Sequence, residues 1–319
     1  MSTDFLTSYK PTGRLGKKHL LSLMDYSREE IAEILHLALA LKREARRGKF
    51  KPLLKDKTLA MIFAKSSTRT RVSFEQGIKQ LGGTPLFLSS SDIQLGRGET
   101  ISDTAKTLAR FNIDGIMIRT FRQSDVVELA EAGNGAFSVI NGLTDDFHPC
   151  QALADILTAY EVFGRLEGIK LVFAGEGNNV AHSLILAGAK MGMDVVCVSP
   201  QGYEPRPEVV AEAQKFGKAT VTSDLESAVA GAHIIYTDVF FSMGQTQDPA
   251  KLAAFTPYRV TAEHFKKADP KAVFMHCLPA HRGEEVAAEV IDGPQSVVFE
   301  EAENRLHAQK AVMSLLMRK

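Results

Sequence analysis

Short apolar runs alternate with helical patterns along almost the whole chain, and this alternation constrains the fold more than any other feature. The runs are rich in β-branched residues and have the length of strands, and helix-type spacing of apolar residues separates nearly all of them. Strands that are apolar on both faces and alternate with helices are typical of parallel sheets covered on both sides. We therefore predict an α/β fold with mainly parallel sheets flanked by helices.

The predicted strands fall into two groups, one in each half of the chain. The first half contains Leu59–Ala64, Thr84–Leu88, Gly115–Ile118 and Phe137–Ile140. The second half contains Leu171–Ala174, Val195–Val198, His233–Thr237, Val273–His276 and Val297–Phe299. A chain of 319 residues has about the length of two domains. We predict one domain over residues 1–150 and another over 151–319, with the final helix (302–316) returning to the first domain.

Charge balance and cysteine content exclude several classes of protein. The chain has 38 basic and 38 acidic residues, so its formal net charge is zero, which argues against a general nucleic-acid or membrane-surface binder. No apolar run approaches the ~20 residues of a membrane span, and the N-terminus shows no signal-peptide core. The three cysteines lie far apart, as expected in a reducing compartment. We expect a cytoplasmic protein that binds neither nucleic acid nor membrane.

A possible anion site follows the first predicted strand. Residues 66–71 read Ser-Ser-Thr-Arg-Thr-Arg and lie where that strand gives way to a helix. Free backbone N–H groups at a helix N-terminus, hydroxyl groups and arginines together favour a phosphate. The glycine-rich pattern of a triphosphate loop is absent. A helix cap with solvent-facing arginines is the alternative interpretation.

Polar clusters also lie at residues 148–151, 175–179, 238–244 and 276–279. His148 and Gln151 can polarise a carbonyl and bind an amide, and Asp238, after a strand, can bind an ammonium group. Structural histidines, helix caps and an inert Cys277 are the alternatives. Residues 175–180 lack the third glycine of a dinucleotide fingerprint, so we expect no NAD. The spacing of Cys277 and its neighbouring histidines fits no common zinc pattern, so we expect no metal.

Taken together and in this order, the motifs resemble those of the aspartate/ornithine carbamoyltransferase family. They are Ser-Thr-Arg-Thr-Arg at 67–71, His-Pro-Cys-Gln at 148–151, Asp238 with Ser-Met-Gly at 242–244, and His-Cys-Leu-Pro at 276–279. The first is shared across the family, whereas Ser-Met-Gly and His-Cys-Leu-Pro point to its ornithine-using branch. The resemblance covers roughly residues 18–319. Residues 1–17 match nothing in it, and we expect a disordered or species-specific arm there.

The resemblance implies a reaction and a set of site residues. The carbamoyl group of carbamoyl phosphate would pass to the δ-amine of L-ornithine by direct attack, giving L-citrulline and phosphate without a cofactor. The implied carbamoyl phosphate site comprises Ser67, Thr68, Arg69, Thr70, Gln94, Arg119, His148, Gln151, Arg305 and the carbonyl of Leu278. The implied ornithine site comprises Asn179, Asp238, Ser242 and Met243, with Asn178 as an alternative to Asn179. The implied catalytic set is Arg119, His148, Asp238, Cys277 and Arg305.

The resemblance further implies a homotrimer, or a multiple of trimers, with active sites shared between subunits. Gln94, in the loop 89–99, would reach the neighbouring site; a mobile surface loop is the alternative. The main functional alternative is a sister enzyme that uses aspartate, putrescine or an N-acylated ornithine. The absence of lysine from residues 89–99 and the Ser-Met-Gly segment favour ornithine. A dinucleotide-dependent oxidoreductase and an inactive binding subunit are further alternatives.

Overall fold

A computed structural model of the protein describes residues 4–242 and 246–318, which contain two parallel sheets. The strands are β1 (Thr58–Phe63), β2 (Thr84–Ser89), β3 (Gly115–Arg119), β4 (Ser138–Leu143), β5 (Lys170–Ala174), β6 (Asp194–Val198), β7 (Lys218–Thr222), β8 (Ile234–Thr237) and β9 (Val273–His276). These sheets and their flanking helices confirm the predicted α/β class.

The helices occupy most of the segments between strands. They are α1 (Phe5–Ser8), α2 (Arg28–Ala45), α3 (Thr68–Gln80), α4 (Ile101–Arg110), α5 (Gln123–Ala132), α6 (Pro149–Phe163), α7 (Asn179–Lys190), α8 (Pro207–Gln214), α9 (Leu225–Ala228), α10 (Pro249–Phe255), α11 (Ala262–Lys267), α12 (Ala288–Ile291) and α13 (Val298–Met317). Short 3₁₀ turns lie at Gln94–Arg97 and Thr256–Tyr258. Among the described residues, no helix is long and apolar enough to cross a membrane.

The chain divides into two compact units. The first unit contains residues 9–157 and the chain from residue 304 onward, and the second contains residues up to 8 together with 158–303. The division therefore falls inside two long helices, α6 and α13. Each unit contains one of the two sheets.

The sheet of the first unit has the strand order β2-β1-β3-β4, with all strands parallel. Its strand order reverses between β1 and β3. Apolar residues from these strands, including Ile62, Ile116 and Val139, form a buried core with α4 and α5. The C-terminal part of α13 packs on this unit: the Ser138 hydroxyl donates to the Leu316 carbonyl at 2.6 Å. The predicted return of the final helix is confirmed.

The sheet of the second unit has the order β7-β6-β5-β8-β9 and is also parallel throughout. Its strand order reverses between β5 and β8. Val172, Val196, Ile235 and Phe274 belong to a buried core on this sheet. Every residue of α7 from Val180 to Lys190 is buried, which agrees with the predominance of apolar residues in its sequence.

Two strand predictions need correction. The run Val297–Phe299 is not a strand, because α13 begins at Val298. The residues around its start meet the sheet through a parallel bridge between Phe274 and Ser296 and a hydrogen bond from the Val297 amide to the Phe274 carbonyl. The strand β7 was missed because its burial alternates. It lies at a sheet edge, where one face remains in solvent and the continuous apolar signal is lost.

The expectation of disorder in residues 1–17 is wrong for residues 4–17, which the structure describes. Leu6, in α1, is fully buried. The Asp4 carboxylate accepts hydrogen bonds from the amides of Leu166 and Glu167 at 2.8 and 3.0 Å. The amides of residues 12 and 13 both donate to the Glu33 carboxylate at 2.7 Å. These contacts depend on residues distant in sequence, so composition alone does not reveal them.

Candidate active site

In the first unit, the polar motifs collect where the strand order reverses. The motif of residues 66–71 follows β1, and Arg119 is the last residue of the adjacent β3. Phe63 and Arg119 are register partners, so the two strands end at the same level. His148 follows β4, the next strand in the sheet. In open α/β sheets, ligands bind at the carboxyl ends of the strands beside such a reversal.

Ser67 caps the helix that opens this cluster. Its hydroxyl accepts the Thr70 amide at 3.2 Å and donates to the Thr70 hydroxyl at 3.1 Å. Thr68 is exposed and Arg69 is half-buried at the first turn. The predicted strand-to-helix junction is confirmed. The positive end of the helix dipole makes this position favourable for an anion.

Arg305, from α13, connects separate parts of the same cluster. Its guanidinium donates from Nη1 to Gln151 Oε1 at 2.7 Å and from Nη2 to Thr70 Oγ1 at 3.2 Å. Gln151 Nε2 donates in turn to Asp155 at 2.8 Å. All four side chains are buried. Three residues predicted for one site therefore meet, and this network fixes the orientation of each polar group.

His148 is a buried, neutral imidazole beside three arginines. Burial lowers the pKa of His148 well below its usual value, and the positive charges of Arg305, Arg119 and Arg69 lower it further. A neutral imidazole has one donor and one acceptor nitrogen, so it can bind a polar neutral group. Burial raises the pKa of the nearby Cys150 to about 12, which makes that thiol unreactive near neutral pH.

In the second unit, three neighbouring strands end together. Ala174, Thr237 and His276 are the last residues of β5, β8 and β9 and are register partners across the sheet. The segments that follow them carry the candidate residues of the ornithine site. Here too, the cluster lies beside the reversal of strand order, between β5 and β8.

Asp238 is the centre of this second cluster. Its Oδ2 accepts from Asn178 Nδ2 at 2.8 Å. Its Oδ1 accepts from the Val239 amide at 2.8 Å and from Cys277 Sγ at 3.1 Å. The side chain is buried while Cys277 is half-buried. A buried carboxylate held by three donors can attract a substrate ammonium group.

The two adjacent asparagines have different positions. Asn178 caps α7 by accepting from the amides of Val180 and Ala181 at 3.0 and 3.1 Å, and its NH₂ group is the one that donates to Asp238. Asn179 is the first residue of the helix and is half-buried. The family resemblance assigns Asn179 to the ornithine site, with Asn178 as the alternative. The N-cap preference of asparagine was the signal that pointed to Asn178.

Chain packing explains the glycines at residues 175–177. The Gly177 amide donates to the Tyr203 carbonyl at 2.8 Å. A Cβ at Gly177 would lie 2.0 Å from the backbone nitrogen of Pro205, so only glycine fits there. The first glycine, Gly175, has a φ of 154°. The partial dinucleotide pattern thus reflects a close approach of two backbone segments.

The His-Cys-Leu-Pro segment is held from both sides. The His276 amide donates to Glu301 Oε2 at 2.9 Å, and its Nδ1 accepts from the Leu278 amide at 2.8 Å. Nε2 therefore carries the proton and donates to Glu285 Oε1 at 3.2 Å. Leu278 has a φ of 59°, which is rare for a bulky residue. Such a conformation is typical of functional sites, where surrounding contacts maintain it.

Gln94, Ser242 and Met243 were also predicted for the site. Gln94 is exposed on the 3₁₀ turn Gln94–Arg97. Ser242 is half-buried at the end of the segment that follows β8. Met243 falls outside the described residues.

Comparison with known proteins identifies the family. The sequence model of the family's carbamoyl-P binding domain matches residues 18–161, and that of its Asp/Orn binding domain matches residues 167–316. The chain belongs to the aspartate/ornithine carbamoyltransferase family. The resemblance predicted from the motifs is confirmed, and the protein is a carbamoyltransferase enzyme.

Individual members of the family are similar over nearly the whole chain. The ornithine carbamoyltransferase of Symbiobacterium thermophilum is 58% identical over 306 residues, covering 94% of this chain and 98% of that protein. That of Bacillus subtilis is 53% identical over 308 residues, covering 95% and 94%. The solved ornithine carbamoyltransferase from Pyrococcus furiosus has a TM-score of 0.90 and 50% identity, covering 96% of this chain and 97% of that one.

Proposed function

We propose that this carbamoyltransferase transfers the carbamoyl group of carbamoyl phosphate to the δ-amine of L-ornithine, giving L-citrulline and phosphate. The observation that carries the proposal is the cluster in the first unit, where three arginines act on the buried neutral His148. Such a site suits a ligand that has an anionic group, which the arginines attract, attached to a neutral planar amide, which the imidazole can bind. Carbamoyl phosphate is a small molecule of this kind.

The first unit supplies the carbamoyl phosphate site, in keeping with a binding domain over residues 1–150. The phosphate is held by the N-terminus of α3 with Ser67, Thr68, Arg69 and Thr70, and by Arg119. His148, Gln151 and Arg305 bind the carbamoyl group, together with the Leu278 carbonyl. The network that joins Arg305 to Gln151 supports this assignment, because it fixes the guanidinium and amide in one orientation.

The second unit supplies the ornithine site, in keeping with a binding domain over residues 151–319. Asp238 attracts a positively charged amine of ornithine, and Asn179, Ser242 and Met243 complete the site. The buried position of Asp238 supports its role, since a carboxylate interacts more strongly with a cation when water is excluded. Cys277 donates to the same carboxylate and lies beside the reacting amine.

The reaction proceeds by direct attack. The free δ-amine resembles a lysine amine with a pKa of about 10.4, so it must lose a proton before attack. The new N–C bond forms, the C–O bond to phosphate breaks, and phosphate leaves with the bonding electrons. Asp238 or the leaving phosphate accepts the proton, and Cys277, whose thiol donates to Asp238, tunes this step. Arg69, Arg119 and Arg305 stabilise the charge that develops on the leaving group.

The proposed assembly is a homotrimer, or a multiple of trimers, with active sites shared between subunits. Gln94 from the loop 89–99 completes the neighbouring carbamoyl phosphate site. Its exposure on a short 3₁₀ turn supports this role. We place the enzyme in the cytoplasm, which its sparse, separated cysteines support.

Formation of citrulline tests the proposed substrate directly. Purified protein is given carbamoyl phosphate with ornithine, aspartate, putrescine or an N-acylated ornithine, and the carbamoylated product is quantified. We expect product from ornithine well above the background without enzyme. Product formed only with another amine would overturn the choice of ornithine and identify a sister enzyme.

An arginine variant tests the phosphate site. Arg69→Ala should lower kcat by roughly a hundredfold or more, the cost of removing one preorganised charge-stabilising donor. Arg110→Ala, which changes an exposed arginine at the end of α4, is the matched control. A folded Arg69→Ala enzyme with the turnover of the control would contradict the assignment.

A further inference from the structure

A tight turn at residues 281–285 follows the His-Cys-Leu-Pro segment. The Gly283 amide donates to the Val286 carbonyl at 2.8 Å, and the Glu284 amide donates to the His281 carbonyl at 3.0 Å. The Val260 amide donates to the Glu285 carbonyl at 2.9 Å. The backbone of the turn is therefore fixed, and its side chains project from a rigid frame.

Glu285 has a carboxylate oxygen whose environment is unusual. Its side chain is fully buried, and Oε1 accepts from the His281 amide at 2.6 Å and from His276 Nε2 at 3.2 Å. Oε2 is also buried but accepts no hydrogen bond from any residue in the described part of the chain. A buried charged oxygen without a donor is costly, and a bound ion is one of the ordinary explanations for it.

Two further ligand atoms face this oxygen. His281 Nδ1 lies 3.9 Å from Glu285 Oε2 and 4.0 Å from Glu284 Oε2. Ligand atoms of the three residues all lie within 4.8 Å of one another. These separations are too long for hydrogen bonds. A small rotation of the partly exposed His281 and Glu284 side chains would bring all three ligand atoms within bonds of about 2.0–2.2 Å of one ion.

We propose that His281, Glu284 and Glu285 bind a divalent transition-metal ion. Two carboxylates balance the charge of such an ion, and the imidazole favours a transition metal over magnesium or calcium. His281 and Glu284 are partly exposed, so an ion can enter from solvent.

Within the described residues, the hydrogen bonds of the two neighbouring arginines go to groups other than the Glu284 and Glu285 carboxylates. Arg282 forms two hydrogen bonds to Asp292, at 2.8 and 2.6 Å. Arg259 Nε donates at 2.8 Å to the backbone carbonyl of Glu284 and not to its side chain. The ion would bind Glu285 Oε2, and Oε1 would keep its hydrogen bond to His276. The bound ion would thus stabilise the segment that carries Cys277, and none of its ligands is a proposed substrate-binding residue.

Electron paramagnetic resonance with Mn²⁺ tests the site on the full-length protein. Free Mn²⁺ gives a six-line signal that weakens on binding. Mn²⁺ prefers carboxylate oxygens to thiolate, which separates this site from the thiol of Cys277. We expect the wild type to bind one Mn²⁺ more per chain than His281→Ala or Glu284→Gln. Each substitution should weaken binding at that site by more than about tenfold.

Glu289→Gln is the matched control, because Glu289 is a nearby exposed glutamate outside the turn. It should bind Mn²⁺ as the wild type does. Circular dichroism of each variant checks the fold, and both substitutions affect partly exposed side chains. Equal Mn²⁺ binding by the wild type, His281→Ala and Glu284→Gln, or no Mn²⁺ bound by the wild type, would overturn the proposal.

Discussion

Asn178 performs two separable tasks, and two substitutions distinguish them. Its Oδ1 caps α7 through the amides of Val180 and Ala181, and its Nδ2 donates to Asp238 at 2.8 Å. Serine caps a helix about as well as asparagine but is too short to reach Asp238. Asn178→Ser therefore removes only the contact with the carboxylate, whereas Asn178→Ala removes both.

The structure sets the size of each effect. A hydrogen bond to a charged group contributes about 1.5–3 kcal/mol, so Asn178→Ser should lower the free energy of unfolding by about 2 kcal/mol. Loss of the cap costs about 1 kcal/mol more, so Asn178→Ala should be the less stable variant by that amount. If the same energy orients Asp238 toward ornithine, kcat/KM for ornithine falls by up to about thirtyfold in both variants.

Denaturant unfolding and steady-state citrulline formation measure the two effects. We expect equal losses of kcat/KM for ornithine in the two variants and unequal losses of stability. The KM for carbamoyl phosphate should stay near the wild-type value, because its proposed residues lie in the first unit apart from the Leu278 carbonyl. Wild-type ornithine kinetics in Asn178→Ser would show that this contact does not orient Asp238. Identical stability of the two variants would show that Asn178 contributes nothing as a cap of α7.

Three further predictions concern other polar side chains. The pKa of His148 is lowered in the folded chain, so the unfolded chain binds a proton near pH 6.5 that the folded chain does not. Lowering the pH therefore favours the unfolded chain. In urea titrations between about pH 7.5 and about pH 5.5, the free energy of unfolding should fall more steeply for the wild type than for His148→Asn. Lys251 lies 2.9 Å from Glu176 and within 5.6 Å of three aromatic ring centres. Lys251→Met should cost about 3 kcal/mol in denaturant unfolding, and less in a Glu176→Gln background. Cys277→Ser should raise the KM for ornithine while circular dichroism stays unchanged, and a carbamoylated Cys277 seen by mass spectrometry would contradict direct attack.

Local sequence signals were reliable where neighbouring residues determine the structure. The Ser-Thr-Arg-Thr-Arg motif predicted the start of α3, and Ser67 indeed caps it. The continuous apolar runs predicted the buried strands of both sheets. Such signals work because a cap involves residues only three positions apart. Likewise, a strand that is buried on both faces has apolar side chains at successive positions. They failed at Val297–Phe299, where a β-branched run begins a helix.

Contacts between distant residues needed the folded chain. Arg305 meets Gln151 and Thr70 across 154 and 235 positions of sequence, and only the family resemblance placed them together beforehand. The contact between the Asn178 amide and Asp238, 60 positions apart, likewise appears only in the folded chain. The arrangement of residues 281–285 around a buried carboxylate oxygen had no counterpart in any spacing pattern.

The sequence by itself determined the α/β class, most strand and helix positions and, through the order of its motifs, the family. These features follow from the periodicity of apolar residues and from interactions between residues close together in the sequence. Tertiary structure alone decided the strand order, and with it which loops meet at the reversal points of the two sheets. It also decided that His148 is neutral, because desolvation and the field of three arginines exist only after the chain has folded around it.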